Sequence, residues 1–167
     1  MGIIRPMTQA DIPRVAEIHV LSRRTAYRGI ISDSRLFAET TVIGQMSKFA
    51  ERLSDSTHTT VVYDNNGILC GFMTTCPCRD SDKPNAHEVR SIYIDPPMFG
   101  HGIGAKLLAH CHVEATAQGR NEICLWVLKE NHAARAFYEK IGYTHDGATK
   151  DVDSTRPAKM RYCKTLF

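Results

Sequence analysis

Three alternating glycines, Gly100, Gly102 and Gly104, stand between an apolar run, Ile92-Tyr93-Ile94, and a helix-forming run that opens at Ile103. Glycine lets backbone N–H groups approach an anion unobstructed, and a helix N-terminus directs its positive end at the same point. The spacing predicts a strand, a diphosphate-binding loop and a helix, with a phosphorylated cofactor as occupant. Gly100, Gly102 and Ala105 also satisfy the G-x-G-x-x-G/A pattern of dinucleotide-binding folds. That alternative fits poorly. Its acidic ribose ligand would be Glu122, which opens the next strand instead of closing it, and the roughly 60 residues after the loop are too few for the second half of such a fold.

A second motif follows: Leu125-Trp126-Val127-Leu128, then Asn131, then Phe137-Tyr138-Glu139-Lys140-Ile141-Gly142-Tyr143. In order and spacing the two runs resemble the GNAT superfamily of acyl-CoA-dependent N-acyltransferases, closely over residues 86 to 143 and more loosely at Ala26 to Ile31 and in the last strand. One departure is Phe99, which stands where the family's glycine loop is usually headed by Gln or Arg. A side-chain phosphate contact is thereby lost, leaving the backbone amides, with Lys106 one turn into the helix as replacement charge. The resemblance implies an α/β (mixed α+β) fold: a twisted mixed sheet of six to seven strands, splayed between its two middle parallel strands and flanked by four to five helices. Acetyl-CoA, as acyl donor, would enter the splay, its pantetheine arm pairing with the edge of the first of those strands. The cofactor-binding residues implied are Ile92, Tyr93, Ile94, Phe99, Gly100, His101, Gly102, Ile103, Gly104, Ala105, Asn131 and Phe137. Asn131 also suits a helix cap.

The implied activity is N-acetyl transfer to a primary amine. An amine with a pKa near 10 is mostly protonated at neutral pH, so some group must take its proton. Glu88, eleven residues before Phe99, is the candidate base, directly or through water; its plainer role is a strand-end carboxylate paired with Arg90. A backbone N–H near Ile94 would hold the tetrahedral oxyanion. Tyr138 falls where the family keeps a tyrosine beside the departing sulfur, and also on the apolar stripe of its own helix. Tyr27 and Arg28 lie where an acceptor-side loop is expected, Arg28 suiting a substrate carboxylate. Trp126 is expected in the core. The acceptor would be a small-molecule amine or a peptide or protein amine. A non-catalytic acyl-CoA-binding sensor or scaffold is the alternative, favoured by Phe99 and opposed by the presence of both Glu88 and Tyr138.

The elements that must position these groups can be read from periodicity. Ile3 to Met7 reads as a strand, and Thr8 with Asp11 caps a helix running to about Arg24. One or two helices follow from Ser32 to Leu53, and then a hairpin, Thr59 to Tyr63 with Ile68 to Thr75, turns across Asp64-Asn65-Asn66-Gly67. Strands at Glu88 to Ile94 and Ile123 to Leu128 alternate with helices, and closing strands at Tyr143 to Gly147 and Lys159 to Lys164 flank a turn containing Pro157. The length of 167 residues suits one domain spanning residues 1–167. A net charge of +3, with no basic run interleaved with aromatics, argues against nucleic acid as a partner. No apolar stretch approaches the ~20 residues of a membrane span, and no signal-peptide pattern is present, so a cytoplasmic protein is expected, with a homodimer left open. The six cysteines lack paired metal-ligand spacing and are expected as small core residues, with no metal.

Overall fold

A computed structural model of the chain describes residues 2–151 and 157–167. The first strand, β1 (Ile3–Pro6), is tied to the helix that follows by one carboxylate. Asp11 accepts hydrogen bonds from the amide and hydroxyl of Thr8, both at 2.7 Å, and from the Arg5 guanidinium at 2.8 and 2.9 Å. The hydrogen bonds from Arg5, followed by those from Thr8, overcome burial and hold the Asp11 carboxyl well below the usual carboxylate range. Helix α1 (Ile12–Ala26) follows, then α2 (Asp33–Glu39) and α3 (Val42–Ser54). The break between the last two is set by Thr41, whose hydroxyl caps α3 by accepting from the Gly44 amide at 3.2 Å.

The hairpin forms as expected. Strands β2 (Thr59–Asn65) and β3 (Ile68–Pro77) join through Asn66 and Gly67, with φ of 55° and 87°, the left-handed pair that matches strand twist. The chain continues as β4 (Ala86–Ile94), α4 (Ile103–Ala117), β5 (Glu122–Leu128), α5 (His132–Lys140), β6 (Thr144–Lys150) and β7 (Lys159–Thr165). These make a seven-stranded sheet in the order β1-β2-β3-β4-β5-β7-β6, antiparallel except between β4 and β5. The fold expected from the resemblance, a mixed sheet with two parallel strands at its middle and five helices, is the one observed. Of the turn expected between the closing strands, Pro157 is described and residues 152–156 lie outside the described residues.

Each face of the sheet carries its own core. On one face α1 and α3 bury Ile12, Val15, Ile18 and Phe49 against Val62 and Phe72. On the other, α4 and α5 bury Ile103, Leu107, Leu108 and Tyr138 against Val89, Leu125 and Val127. The expectation of six unlinked cysteines is corrected at one pair: Cys124 and Cys163 form a disulfide across β5 and β7. The reason is register. These two residues are 39 apart in sequence, and become direct partners only because β7 inserts beside β5, ahead of β6. No described helix is long and apolar enough to cross a membrane.

Phe49 is fully buried and packs edge-on against Phe72 with ring centroids 5.2 Å apart, joining α3 to the sheet. Phe49→Ala should destabilise the protein by about 3–5 kcal/mol, measured by denaturant unfolding, because the cavity cannot close without moving α3.

Candidate active site

Strands β4 and β5 share only four residue pairs, Ala86 with Glu122 through Val89 with Leu125, and then part. Beyond that point β4 pairs with β3 alone and β5 with β7 alone. A bulge helps turn β4 away: Thr74 and Thr75, neighbours on β3, oppose Ser91 and Val89, so Arg90 is the extra residue. The Asp95 amide donates to Cys70 on β3 at 2.8 Å. By strand alternation the amides of Ile94 and Ile92 then face the gap. The Ile94 carbonyl is already engaged, accepting from the Ser22 hydroxyl on α1.

At the end of the gap lies the glycine loop. Gly100 and Gly102 adopt φ of +80° and +74°, and a Cβ at either would meet nothing within 4 Å. Their lack of a side chain serves backbone conformation and clear approach, not internal packing. Gly104 differs: it is helical, and a Cβ there would lie 3.1 Å from the Phe137 ring, so this glycine lets α4 pack on α5. Among the described residues the amides of Gly100, Gly102, Ile103, Gly104 and Ala105 have no protein acceptor, whereas those of Phe99 and His101 donate to Pro96 and Met98. Five free donors at a helix N-terminus make an anion cradle. Phe99 is 47% exposed. Lys106 does not turn back toward the loop; its ammonium donates to the Tyr63 hydroxyl at 3.2 Å and sits over that ring.

Asn131 is a helix cap, its Oδ1 accepting from the Ala134 amide at 3.2 Å. Tyr138 is buried against the α4 side of the sheet, and among the described residues its hydroxyl has no hydrogen-bond partner. Burial, then the nearby Tyr93, pushes that hydroxyl well above its ordinary pKa, so it stays protonated and available as a donor.

The opposite face of the gap opens into a cleft of about 300 Å³ lined by Tyr27, Tyr93, Ser91, Trp126 and a set of basic side chains. Tyr27 and Tyr93 meet hydroxyl to hydroxyl at 3.3 Å. Arg28 does not line the cleft: it is exposed and lies 3.9 Å from Asp33. The guanidinium groups that do are Arg23, Arg35, Arg52 and Arg90. Trp126, expected in the core, instead forms part of the cleft wall. Its indole donates to Asp80 at 2.9 Å, and Lys150 lies over the ring at 3.9 Å. Burial works against ionisation of Asp80, but hydrogen bonds from Lys150, Trp126 and Arg161 outweigh it and hold the carboxyl below its usual range. No signal in the sequence links Asp80, Trp126 and Arg161, because only the β5–β7 pairing brings them together.

Glu88 lies on the cleft-facing side of β4 but is not part of the cleft lining. It is 3% exposed, and Arg79, not Arg90, is its partner, donating to the two carboxylate oxygens at 2.9 and 2.6 Å. Arg90 contacts His58 at 3.2 Å. His19 also lines the cleft; burial, then the charges of Arg23, Arg52 and Lys48, depresses its pKa to about 3, so it is neutral at physiological pH.

Two parallel strands separate beside free amides at a helix N-terminus, with a cleft on the far side, an arrangement with room for an anionic ligand on one face and a smaller molecule on the other. Residues 55–145 match the family model described as an acetyltransferase (GNAT) domain, and the chain belongs to that family. It is 27% identical over 154 residues to a probable N-acetyltransferase of Mycobacterium tuberculosis, covering 87% of this chain and 82% of the relative. It is 33% identical over 92 residues to an uncharacterized N-acetyltransferase of Methanocaldococcus jannaschii, a match covering 53% of this chain but only 40% of that relative's length. In structure it resembles an N-acetyltransferase of Thermoplasma acidophilum solved with coenzyme A, with a TM-score of 0.77, 20% identity and 99% of each chain covered.

Gly102→Val tests the cradle. The left-handed backbone should cost roughly 1–2 kcal/mol of stability, a small fall in melting temperature. Calorimetric affinity for CoA should drop at least tenfold as the side chain occupies the phosphate approach. Unchanged affinity would show that the loop holds no phosphate.

Proposed function

We propose that this protein transfers the acetyl group of acetyl-CoA to a primary amine by direct attack. The ammonium form of the acceptor first gives up one proton, the free amine nitrogen then forms a bond to the thioester carbon, and the tetrahedral intermediate collapses with loss of the C–S bond; the second amine proton ends on the departing sulfur, so the products from the ammonium ion are the acetamide, free CoA thiol and one proton. The observation that carries this reading is the open edge of β4 at Ile92 to Ile94, running toward unpaired amides at Gly100 and Gly102 to Ala105. That edge suits the pantetheine arm, which adds to it as an extended peptide adds to a sheet. The cradle suits the diphosphate, with Phe137 packed behind it on Gly104. Phe99 and His101, their amides already bonded, would contribute side-chain contacts only. The gap-facing Ile94 amide suits the developing oxyanion.

In this reading Tyr138 lies beside the departing sulfur. Its raised pKa makes it a hydrogen-bond donor to the thiolate, since full proton transfer from so weak an acid to a thiolate runs uphill. Glu88 takes the amine proton through water, because its two oxygens are engaged by Arg79 and it stands back from the cleft. Ser91, three residues along the same strand, has a buried hydroxyl with no partner among the described residues and lines the cleft, a suitable anchor for such a water.

Incubation with acetyl-CoA and a panel of amines, amino acids and peptides should release free CoA thiol in proportion to acetylated product. Binding of acetyl-CoA with no turnover of any acceptor would instead favour a sensor or scaffold. Glu88→Gln should lower turnover by about 10²–10⁴-fold with acetyl-CoA affinity retained. Arg79→Lys separates the base from a mere anchor for Arg79: turnover persists if Glu88 is the base and falls alongside Glu88→Gln if the pair is only structural. Tyr138→Phe keeps the ring, so stability should change by less than about 1.5 kcal/mol. Turnover should fall about tenfold while the donor still binds, and an unchanged rate would leave Tyr138 a packing residue.

A further inference from the structure

The cleft on the acceptor side is charged far out of proportion to the chain. Among the described residues its lining includes five basic side chains, Arg23, Arg35, Arg52, Arg90 and Lys159, and one acidic residue, Glu39. That carboxylate is engaged by Arg35 at 2.7 Å. Arg23, Arg52 and Arg90 make no ion pair among the described residues: Arg23 lies over the Tyr27 ring at 5.2 Å, Arg52 over Phe49 at 5.3 Å with the charge of Glu51 acting on it only from a distance, and Arg90 donates to His58 at 3.2 Å. Ring contacts leave the positive charge uncompensated. Three polar atoms in this wall, Arg23 Nε, Ser91 Oγ and His19 Nδ1, are buried with no partner among the described residues. Buried donors and like charges held together are unfavourable unless something completes them.

Resting on the acetyl-transfer reading above, we propose that the acceptor is a small amine that itself carries a double negative charge, as two carboxylates or one phosphate monoester, which Arg23, Arg52 and Arg90 bind. The volume supports a small molecule: about 300 Å³ lies at the lower end of the range for small-ligand sites. The charge supports a dianion, because a single carboxylate would still leave two of the three guanidinium groups unopposed. Burial, then the neighbouring charge of Arg90, makes it harder for Arg52 to stay protonated, a strain that a bound anion relieves. Planar guanidinium groups hold carboxylate or phosphate oxygens in paired hydrogen bonds, so either acid chemistry fits. The bond made and the bond broken are those of acetyl transfer, and the acid groups take no part in them.

The test measures kcat/KM with acetyl-CoA for L-glutamate, L-aspartate and O-phosphoethanolamine against L-methionine, ethanolamine and putrescine. The acidic amines should exceed the neutral and cationic ones by at least a hundredfold, the first two against the third distinguishing carboxylate from phosphate. Arg52→Gln and Arg90→Gln should each reduce the preference for the acidic amine over ethanolamine ten- to hundredfold, and Arg90→Lys should restore part of it. Equal use of ethanolamine or putrescine by the native protein overturns the inference and leaves acetyl transfer standing. Calorimetry of L-glutamate and O-phosphoethanolamine with the CoA-bound protein is independent of turnover: binding weakened by Arg52→Gln supports the inference even if no amine is acetylated, and no binding of either overturns it.

Discussion

The parting of β4 from β5 is the constraint on which the rest of the molecule depends. A sheet gains stability by pairing every backbone donor and acceptor, and here the two central strands stop pairing after Val89 and Leu125. The groups set free on β4 stay inside a folded domain, where an unpaired edge is unfavourable without a partner. The surrounding structure holds the gap open. The bulge at Arg90 turns β4 aside, β7 engages the full length of β5, and Ser22 on α1 takes up the Ile94 carbonyl. An edge maintained in this way suits an extended chain of amide groups, the role we propose for it.

The two faces of that gap offer different physics, and the function we propose assigns one substrate to each. On the α4 side the groups on offer are backbone: amides at a helix N-terminus and a strand edge, with Gly104 admitting Phe137 so that α4 and α5 close together. Backbone donors do not depend on side-chain identity, so Phe99 at the head of the loop leaves the free amides of Gly100 and Gly102 to Ala105 in place. On the α1 and α3 side the cleft is lined by side chains gathered from many elements: Arg23 and Tyr27 from and beside α1, Arg52 from α3, Arg90 and Tyr93 from β4, Trp126 from β5.

A third group of residues keeps the second face rigid. Arg161, 5% exposed on β7, donates to Asp82 at 2.6 and 2.8 Å and to Asp146 at 2.7 Å. It also reaches Asp80 at 3.2 Å, the carboxylate that holds the Trp126 indole. A buried guanidinium removed from such a set leaves several carboxylates facing one another, so the network fixes the segment between β3 and β4 against the closing strands. The cleft wall at Trp126 therefore owes its position to a contact with residues 46 positions earlier and 35 positions later in the chain.

The backbone geometry on which the proposed donor site rests was legible in the sequence because its signals are local. The strand, three glycines and a helix lie within seventeen consecutive residues, and their spacing alone places amides at a helix N-terminus. The same holds for the hairpin at Asn66-Gly67 and the Asn131 cap, where neighbours in sequence are neighbours in space. The lining of the cleft was not legible. Arg28, the expected carboxylate ligand, points to Asp33, while Arg52 and Arg90 reach the cleft from segments that carry no motif. Glu88 met Arg79 instead of Arg90, since a bulge at Arg90 and the return of the chain from β3 decide which side chain crosses the strand. The Cys124–Cys163 link and the Asp80–Trp126 contact needed β7 to lie between β5 and β6, an order that residue patterns along one strand do not encode. Periodicity fixes which face of a strand is buried; only the packing of the whole sheet fixes which strands, and so which side chains, stand beside it.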